Sequence, residues 1–411
     1  MSSPPLDGGA SSSRPHKNGD RNYREYQLIA LGCAIMFSSF ASGYGVVVSN
    51  NVANLLMLSG SLLVLLAGSN IVLEFAVKLA EAAGVSELVI GLTIVSIGTS
   101  IPEMFTAILS SLKGFGGFVI GDIYGSFITQ LTAFLGIVVI WAPRTVNKSF
   151  VPDVKRDAGL MLFSLCFLSF NISDGQLTYL EAAISTCLFI LYTAYLYRAS
   201  KKDPSKQALQ IIATQSLEEI EGVHSKKEII EILDTKEQMG KIDAVPLKFK
   251  RSKRLIAAYI VLVLAGTVFC YIGAHFMVES GVFIAESFNV PEHIIAATIV
   301  GFGTGLPEFV VSFIAVRKRR YTIAYGNLLG SNVVDPLLSV SLGVFTREIF
   351  MGTEAAWQVI TTMLPIALVV GIFIIAIFSR KITSRAQGRA FGAGLVGLYV
   401  LFLAISLFPG T

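Results

Sequence analysis

Two short stretches, offset by 205 residues, hold residue types from which an ion site can be built. Gly98-Thr99-Ser100-Ile101-Pro102-Glu103 lies in the middle of an apolar run, and so does Gly303-Thr304-Gly305-Leu306-Pro307-Glu308. Proline lacks a backbone donor, and its ring clashes with the carbonyl four residues back. The carbonyls of Gly98 and Gly303 therefore lose their helical partners, and the flexible glycines let the neighbouring carbonyls of Thr99 and Thr304 turn inward. A carboxylate, Glu103 or Glu308, follows each break. One acid at mid-bilayer costs roughly 2.5–3.5 kcal/mol, and two cost more. A bound divalent cation offsets that cost, and oxygen-only ligation suits a hard ion such as Ca2+. The plainer reading is a pair of protonated glutamates bonded between helices, but packing alone does not account for a duplicated break followed by an acid.

The run after each break is also polar. Gly121-Asp122-Ile123-Tyr124-Gly125-Ser126 leads on to Gln130, and Gly326-Asn327-Leu328-Leu329-Gly330-Ser331-Asn332 leads on to Asp335. Ser126 and Gln130 share one helical face, as do Ser331 and Asp335. The glycines permit close helix approach. Interhelical hydrogen bonding without a ligand is the competing reading for Ser126 and Asn332. Glu74 and Glu279 occupy matching places nearer helix ends, where a structural role is expected, with the carboxylates snorkelling to the interface.

The elements that position these residues must be membrane helices. Of 411 residues, 53% are hydrophobic and 15% charged, and the mean hydropathy is +0.68. A soluble domain carries about 25% charged residues, so a soluble domain, a disordered chain and a nucleic-acid binder are excluded. Cys33, Cys166, Cys187 and Cys270 lie singly in apolar runs and the histidines are scattered, which argues against a His/Cys metal site. Residues 1–26 read as a polar cytoplasmic tail. Leu28–Val48 reads as an extra N-terminal span within 27–50, with a signal peptide as the alternative. Spans are expected at Leu55–Val77, Leu88–Leu112, Phe115–Trp141, Ala158–Ile172 and Leu177–Tyr197, making a unit over 53–198. A hydrophilic cytoplasmic loop, 199–254, follows. It contains Leu217–Leu233, an amphipathic stretch that reads as a solvated helical linker. Spans at Leu255–Val282, Ile294–Val316, Tyr321–Val344, Ala355–Phe378 and Phe391–Phe408 complete a second unit over 255–411. With the N-terminus inside, these eleven spans put all but Lys113 and Arg347 of the 32 basic residues on the cytoplasmic side, as the positive-inside rule requires. The C-terminus then falls outside.

The two units are copies. Residues 87–103 and 292–308 are identical at nine of seventeen positions, and the same offset pairs Gly68 with Gly273, Glu74 with Glu279 and Ser126 with Ser331. Five spans is an odd number, so the copies cross the membrane in opposite senses. The fold expected is an all-α polytopic membrane protein with two inverted five-helix repeats, ten core helices, and one extra N-terminal helix. Inverted repeats with broken helices are the mark of secondary transporters.

These motifs resemble the two α-repeats of the cation/calcium exchanger superfamily, most closely the prokaryotic sodium/calcium exchanger type, over residues 53 to 408. The resemblance implies an antiporter that exchanges Ca2+ for Na+ by alternating access. It implies no cofactor, only the transported Ca2+ and Na+, with the bilayer of the cell membrane as surroundings. Glu103 and Glu308 match the calcium-ligating pair, and Thr99 and Thr304 the residues lending carbonyls. Ser100, Ser126, Gln130, Ser331 and Asp335 fall where the family has sodium-site or neighbouring polar groups. Leu55–Val77 and Leu255–Val282 match its sliding gate.

The sequence also departs from the pattern. Gln130 stands where relatives often carry Asn, and Gly305 where the first half has Ser100. Asp122 replaces the Asn kept as Asn327, and Phe127 the one kept as Asn332. An added acid and fewer side-chain oxygens bear on stoichiometry and admit H+ or K+ as coupling ions. The Gly-Asn-Ala-x-Glu motif of the proton/calcium branch is absent, which keeps Na+ in front. An intramembrane aspartyl protease using Asp122 and Asp335 is the remote alternative, but Asp122 lacks a Gly-x-Gly-Asp signature. The chain reads as a transporter and not an enzyme.

Overall fold

The computed structural model describes residues 27–37, 50–82, 96–141, 151–201, 253–317, 321–379 and 384–407. The N-terminal tail, the amphipathic stretch Leu217–Leu233 and the start of the span expected from Leu88 lie outside the described residues, as does the second half of the span expected at Leu28–Val48.

Helices account for nearly everything described. In chain order they are α1 (Gln27–Phe37), α2 (Asn50–Ala82), α3 (Ser96–Thr99), α4 (Ile101–Lys113), α5 (Gly116–Trp141), α6 (Val151–Asn171) and α7 (Tyr179–Lys201). After the loop come α8 (Lys253–Ser287), α9 (running from Glu292–Ile295 to Gly301–Thr304), α10 (Leu306–Arg317), α11 (running from Tyr321–Val334 to Val340–Thr346), α12 (Thr353–Ser379) and α13 (Arg385–Leu407). Eight helical stretches among the described residues are long and apolar enough to cross a membrane. The other three expected spans are present only as shorter or more charged pieces: α1, α3 with α4, and α6. Helix α6 starts seven residues before the span expected at Ala158 and carries Asp153, Lys155, Arg156 and Asp157 in its first two turns.

The element boundaries repeat with the sequence. The break between α3 and α4 falls at Ser100, and that between α9 and α10 at Gly305. Helix α5 passes into a wide π turn at Gln130–Phe134, and α11 does so at Asp335–Ser339. All of these are offset by 205 residues. A third π turn, Ala296–Val300, precedes the second break. Wide turns of this kind recur at functional positions in helices.

Burial is distributed as in a membrane protein. In the most apolar stretch of α5, 89% of residues are buried, and in that of α11 78%, although these helices carry polar residues; in the very apolar α8 only 11% are. The outer face of α8 bears exposed Val261, Leu264 and Val268, and that of α7 bears Ile190 and Leu191. An exposed apolar belt around a polar centre suits lipid, not water.

Helices α2 and α8, with 33 and 35 residues, are each about 50 Å long. That exceeds a hydrocarbon thickness of about 30 Å, so they tilt or project. They touch backbone to backbone where the repeat-related Gly68 and Gly273 lie. A β-carbon on Gly68 would sit 2.9 Å from Cys270 N, and one on Gly273 would sit 2.5 Å from Leu65 N. Helix α1 packs on α2 in the same manner, Gly32 against Gly60. A small antiparallel ladder, β1 (Gln176–Leu177) with β2 (Ile349–Phe350), ties the α6–α7 turn to the α11–α12 turn.

Candidate ion site

Two glycines set the distance between α5 and α9. A β-carbon on Gly121 would lie 2.3 Å from His293 O, and one on Gly125 would lie 2.1 Å from Ala297 O. Only glycine permits that approach, which is why Asp122, one residue after Gly121, reaches the break in the opposite half. The Thr304 hydroxyl donates to Asp122 Oδ1 at 3.1 Å.

All ten residues singled out from the sequence are buried: Thr99, Ser100, Glu103, Asp122, Ser126, Gln130, Thr304, Glu308, Ser331 and Asp335 are each at most 1% exposed. Glu103 and Glu308 sit in the first turns of α4 and α10, where the helix dipole favours negative charge. Glu103 lies within electrostatic reach of Glu308, Asp335 and Asp122. Thr99 faces Glu308, and Ser100 faces Asp335. The two breaks thus point their polar groups at each other's half.

Hydrogen bonding divides the cluster into two parts. One part is bonded within and between helices, with Gln130 Nε2 and Asn332 Oδ1 left without a partner. Gln130 Oε1 accepts from the Ser331 hydroxyl at 2.7 Å and from Asn332 Nδ2 at 2.9 Å. The Ser126 hydroxyl donates to Ile123 O in its own helix, and Asn327 Nδ2 donates to Glu308 O. The other part is unsatisfied. Both carboxylate oxygens of Glu103 and of Glu308, with Asp122 Oδ2, Asp335 Oδ2 and Ser100 Oγ, have no hydrogen-bond partner. Buried polar atoms are normally paired, so a concentration of orphaned oxygens contributed by both halves is the signature of a cation site. The acids are spread out: among the described residues no three of them close on one point as a metal cage. The side-chain oxygens left open between the halves are therefore those of the two glutamates, one oxygen each of Asp122 and Asp335, and the Ser100 hydroxyl, while Gly303 O at the second break accepts from Gly305 N.

Two contributors, Ser339 and Ser312, were not named from the sequence. Ser339 donates to Asp335 Oδ1 at 3.2 Å, and Asn327 and Ser312 bond each other behind Glu308. The spacing of four from Asp335 to Ser339 was the available signal. No comparable spacing marks Ser312, because its partner is on another helix. Glu74 and Glu279 lie away from the cluster in ion pairs, Glu74 with Lys78 and Glu279 with Lys113.

A polytopic helical membrane protein with broken helices meeting at a buried acidic centre is, in class, an ion transporter. The chain belongs to the sodium/calcium exchanger protein family, whose model matches residues 53–198 and 258–408. It is 29% identical over 355 residues to the sodium/calcium exchanger MaX1 of Methanosarcina acetivorans, covering 86% of this chain and 98% of that one. Identity to the inner membrane protein YrbG of Escherichia coli is 26%, covering 86% and 96%. A shorter stretch of 142 residues is 30% identical to sodium/potassium/calcium exchanger 1 of Gallus gallus, covering 33% of this chain and 21% of that one. Solved structures of the sodium-calcium exchanger NCX_Mj align with a TM-score of 0.46 at 20% identity, covering 87% and 98%.

Proposed function

We propose that this protein is a secondary antiporter that moves Ca2+ against Na+ across the cell membrane by alternating access. The observation that carries the proposal is the set of orphaned carboxylate oxygens on Glu103 and Glu308, one from each broken helix. In this reading the two glutamates ligate Ca2+ with the Thr99 and Thr304 carbonyls. Asp335, Ser100, Ser331, Ser126 and Gln130 form or support the neighbouring Na+ positions. Because both ions need the same carboxylates, they exclude each other, and that competition couples the fluxes. Helices α2 and α8, joined at their glycine crossing, slide across the site to open it to either side. The N-terminus and the 199–254 loop face the cytoplasm.

The test is Na+-gradient-driven uptake of 45Ca2+ into proteoliposomes holding the purified full chain. Glu103→Gln and Glu308→Gln are each expected to cut uptake by about 100-fold, the upper range for loss of a group that governs metal affinity. Uptake at the wild-type rate in both variants overturns the assignment. Likeness to a sodium/potassium/calcium exchanger motivates repeating the assay with and without K+, and a pH gradient in place of the Na+ gradient tests H+ as the driving ion.

A further inference from the structure

Helix α5 begins without a cap of its own. Its N-cap residue is Phe115, which offers no side-chain acceptor, no acid stands in its first turn, and Gly116 and Gly117 carry no side chains. The first four N–H groups of a helix have no partner inside it. Here the acceptor comes from the other half. Glu292, the first residue of α9, is half-buried against this end, and its carboxylate accepts from the N–H groups of Gly117 and Phe118. The bare Gly117 makes the room, since a β-carbon there would lie 2.7 Å from Glu292 Oε1. These bonds and the helix dipole both favour a carboxylate in this place. From that anchor the two helices run together with no side chain between them at four steps. Gly117 meets Glu292, Gly121 meets His293, Gly125 meets Ala297, and Gly301 meets Ser126. Thr304 follows three residues after Gly301, and Glu308 four residues later on α10.

We infer that Glu292 is a positioning residue for the ion site: by capping α5 from α9 it seats the second break against the first half. It touches none of the site residues and lies about 18 Å along the helix from Thr304, so it acts only through the placing of α9. This role rests on the exchange reading given above. The direction of its effect follows from the two-halved site. Glu308 and Thr304 meet Glu103 and Asp122 only when α9 is seated on α5, so only seated molecules bind Ca2+. Without the cap a share of the molecules is unseated, and the apparent affinity falls in proportion to the seated fraction. Saturating Ca2+ draws those molecules back, so the maximum rate is kept.

The experiment is Na+-gradient-driven uptake of 45Ca2+ by the purified full chain in proteoliposomes, followed over a range of Ca2+ concentrations. Glu292→Ala is expected to raise the half-saturating Ca2+ concentration about fivefold, the weight of one typical cap, at an unchanged maximum rate. Two conservative variants part reach from charge. Glu292→Asp keeps the charge but withdraws the oxygens by one methylene, and it behaves like Glu292→Ala. Glu292→Gln keeps an oxygen at the right reach without the charge, and it raises half-saturation only about twofold, because a neutral acceptor is roughly half as strong. Unchanged half-saturation in both Glu292→Ala and Glu292→Asp overturns the role. So does a lower maximum rate at wild-type half-saturation, which is what a residue needed only for folding gives. The reverse order, Glu292→Asp like wild type and Glu292→Gln like Glu292→Ala, also overturns it, because charge and not the cap would then matter. Glu103→Gln separates the two levels. Uptake lost there, with Glu292→Ala like wild type, rejects the positioning role alone; undiminished uptake in Glu103→Gln rejects the exchange reading beneath it.

Discussion

Gln130 and Asp335 stand at equivalent places, but they do opposite work. Gln130 spends its oxygen on Ser331 and Asn332, fastening α5 to α11, whereas Asp335 keeps one oxygen unsatisfied. Removing the Gln130 amide would leave one buried donor short of a partner and another with only its in-helix bond. Each orphaned group costs about 1–3 kcal/mol. Gln130→Leu is therefore expected to lower the thermal midpoint of the detergent-solubilised protein by several degrees, whatever ions are present. A midpoint that falls only in Ca2+ would instead make Gln130 a ligand. The side-chain differences between the halves also have a packing cause. A β-carbon on Gly305 would lie 3.2 Å from the Phe134 ring, so the hydroxyl that the first half carries at Ser100 has little room there. Opposite Ser100 the second half has the smaller Ser339 at the place matching Phe134. Small faces large at one break, and small faces small at the other. The sequence displays each substitution singly, but that they compensate across the interface emerges only when the halves are in contact.

At the scale of elements, the α2–α8 crossing is a contact that the repeat-matched Gly68 and Gly273 did not announce, while the broken helices were legible because proline and glycine act locally. The wide turns at Gln130 and Asp335 were not. They depend on one extra residue slipping into a helix whose composition is otherwise ordinary, and only Pro336, within the second turn, hints at it. The β1–β2 ladder was also invisible, since two-residue strands carry no period and the paired residues are 172 and 174 apart. Of the four glycines expected to permit close helix approach, Gly121 and Gly125 do so, whereas a β-carbon on the repeat-related Gly326 or Gly330 would meet nothing within 4 Å. A β-carbon on Gly125 would overlap the Ala297 carbonyl, so Gly125→Val must push α5 away from α9. Overpacking of this kind costs about 1–3 kcal/mol, occasionally more. More to the point, it would draw Asp122 away from Thr304 and loosen the paired breaks. Gly125→Val is expected to insert into the membrane but lose most Na+-driven 45Ca2+ uptake, with the apparent Ca2+ affinity falling before the expression level does. Wild-type uptake in that variant would mean the α5–α9 spacing does not set the site.

At the scale of the whole molecule, sidedness follows from where the charges collect. Lys113 ends α4 and reaches across to α8, where it bonds Glu279 at 2.9 Å and the His275 carbonyl at 3.1 Å. Arg347 lies over the same region, its guanidinium beside Gly114 and directed at Leu112 O. These are the two basic residues that the eleven-span reading leaves on the outer side, and they are neighbours in space. The β1–β2 ladder belongs to the same end of the bundle, since Phe350 O lies against Gly116, two residues beyond Gly114. The opposite end holds the basic turn of α13 at Arg385 and Arg389. Cytoplasmic loops gather lysine and arginine, so the ladder end should face outward. Phe350 on β2 and Ala386 at the start of α13 are both exposed, which makes them suitable reporters once the native cysteines are replaced. In intact cells a membrane-impermeant maleimide is expected to label Phe350→Cys and to spare Ala386→Cys until the membrane is opened. Labelling of Ala386→Cys alone in intact cells would turn the protein over and reverse the side from which Ca2+ is taken. Labelling of both before the membrane is opened would mean that the two positions do not lie on opposite faces, and the span count itself would fail.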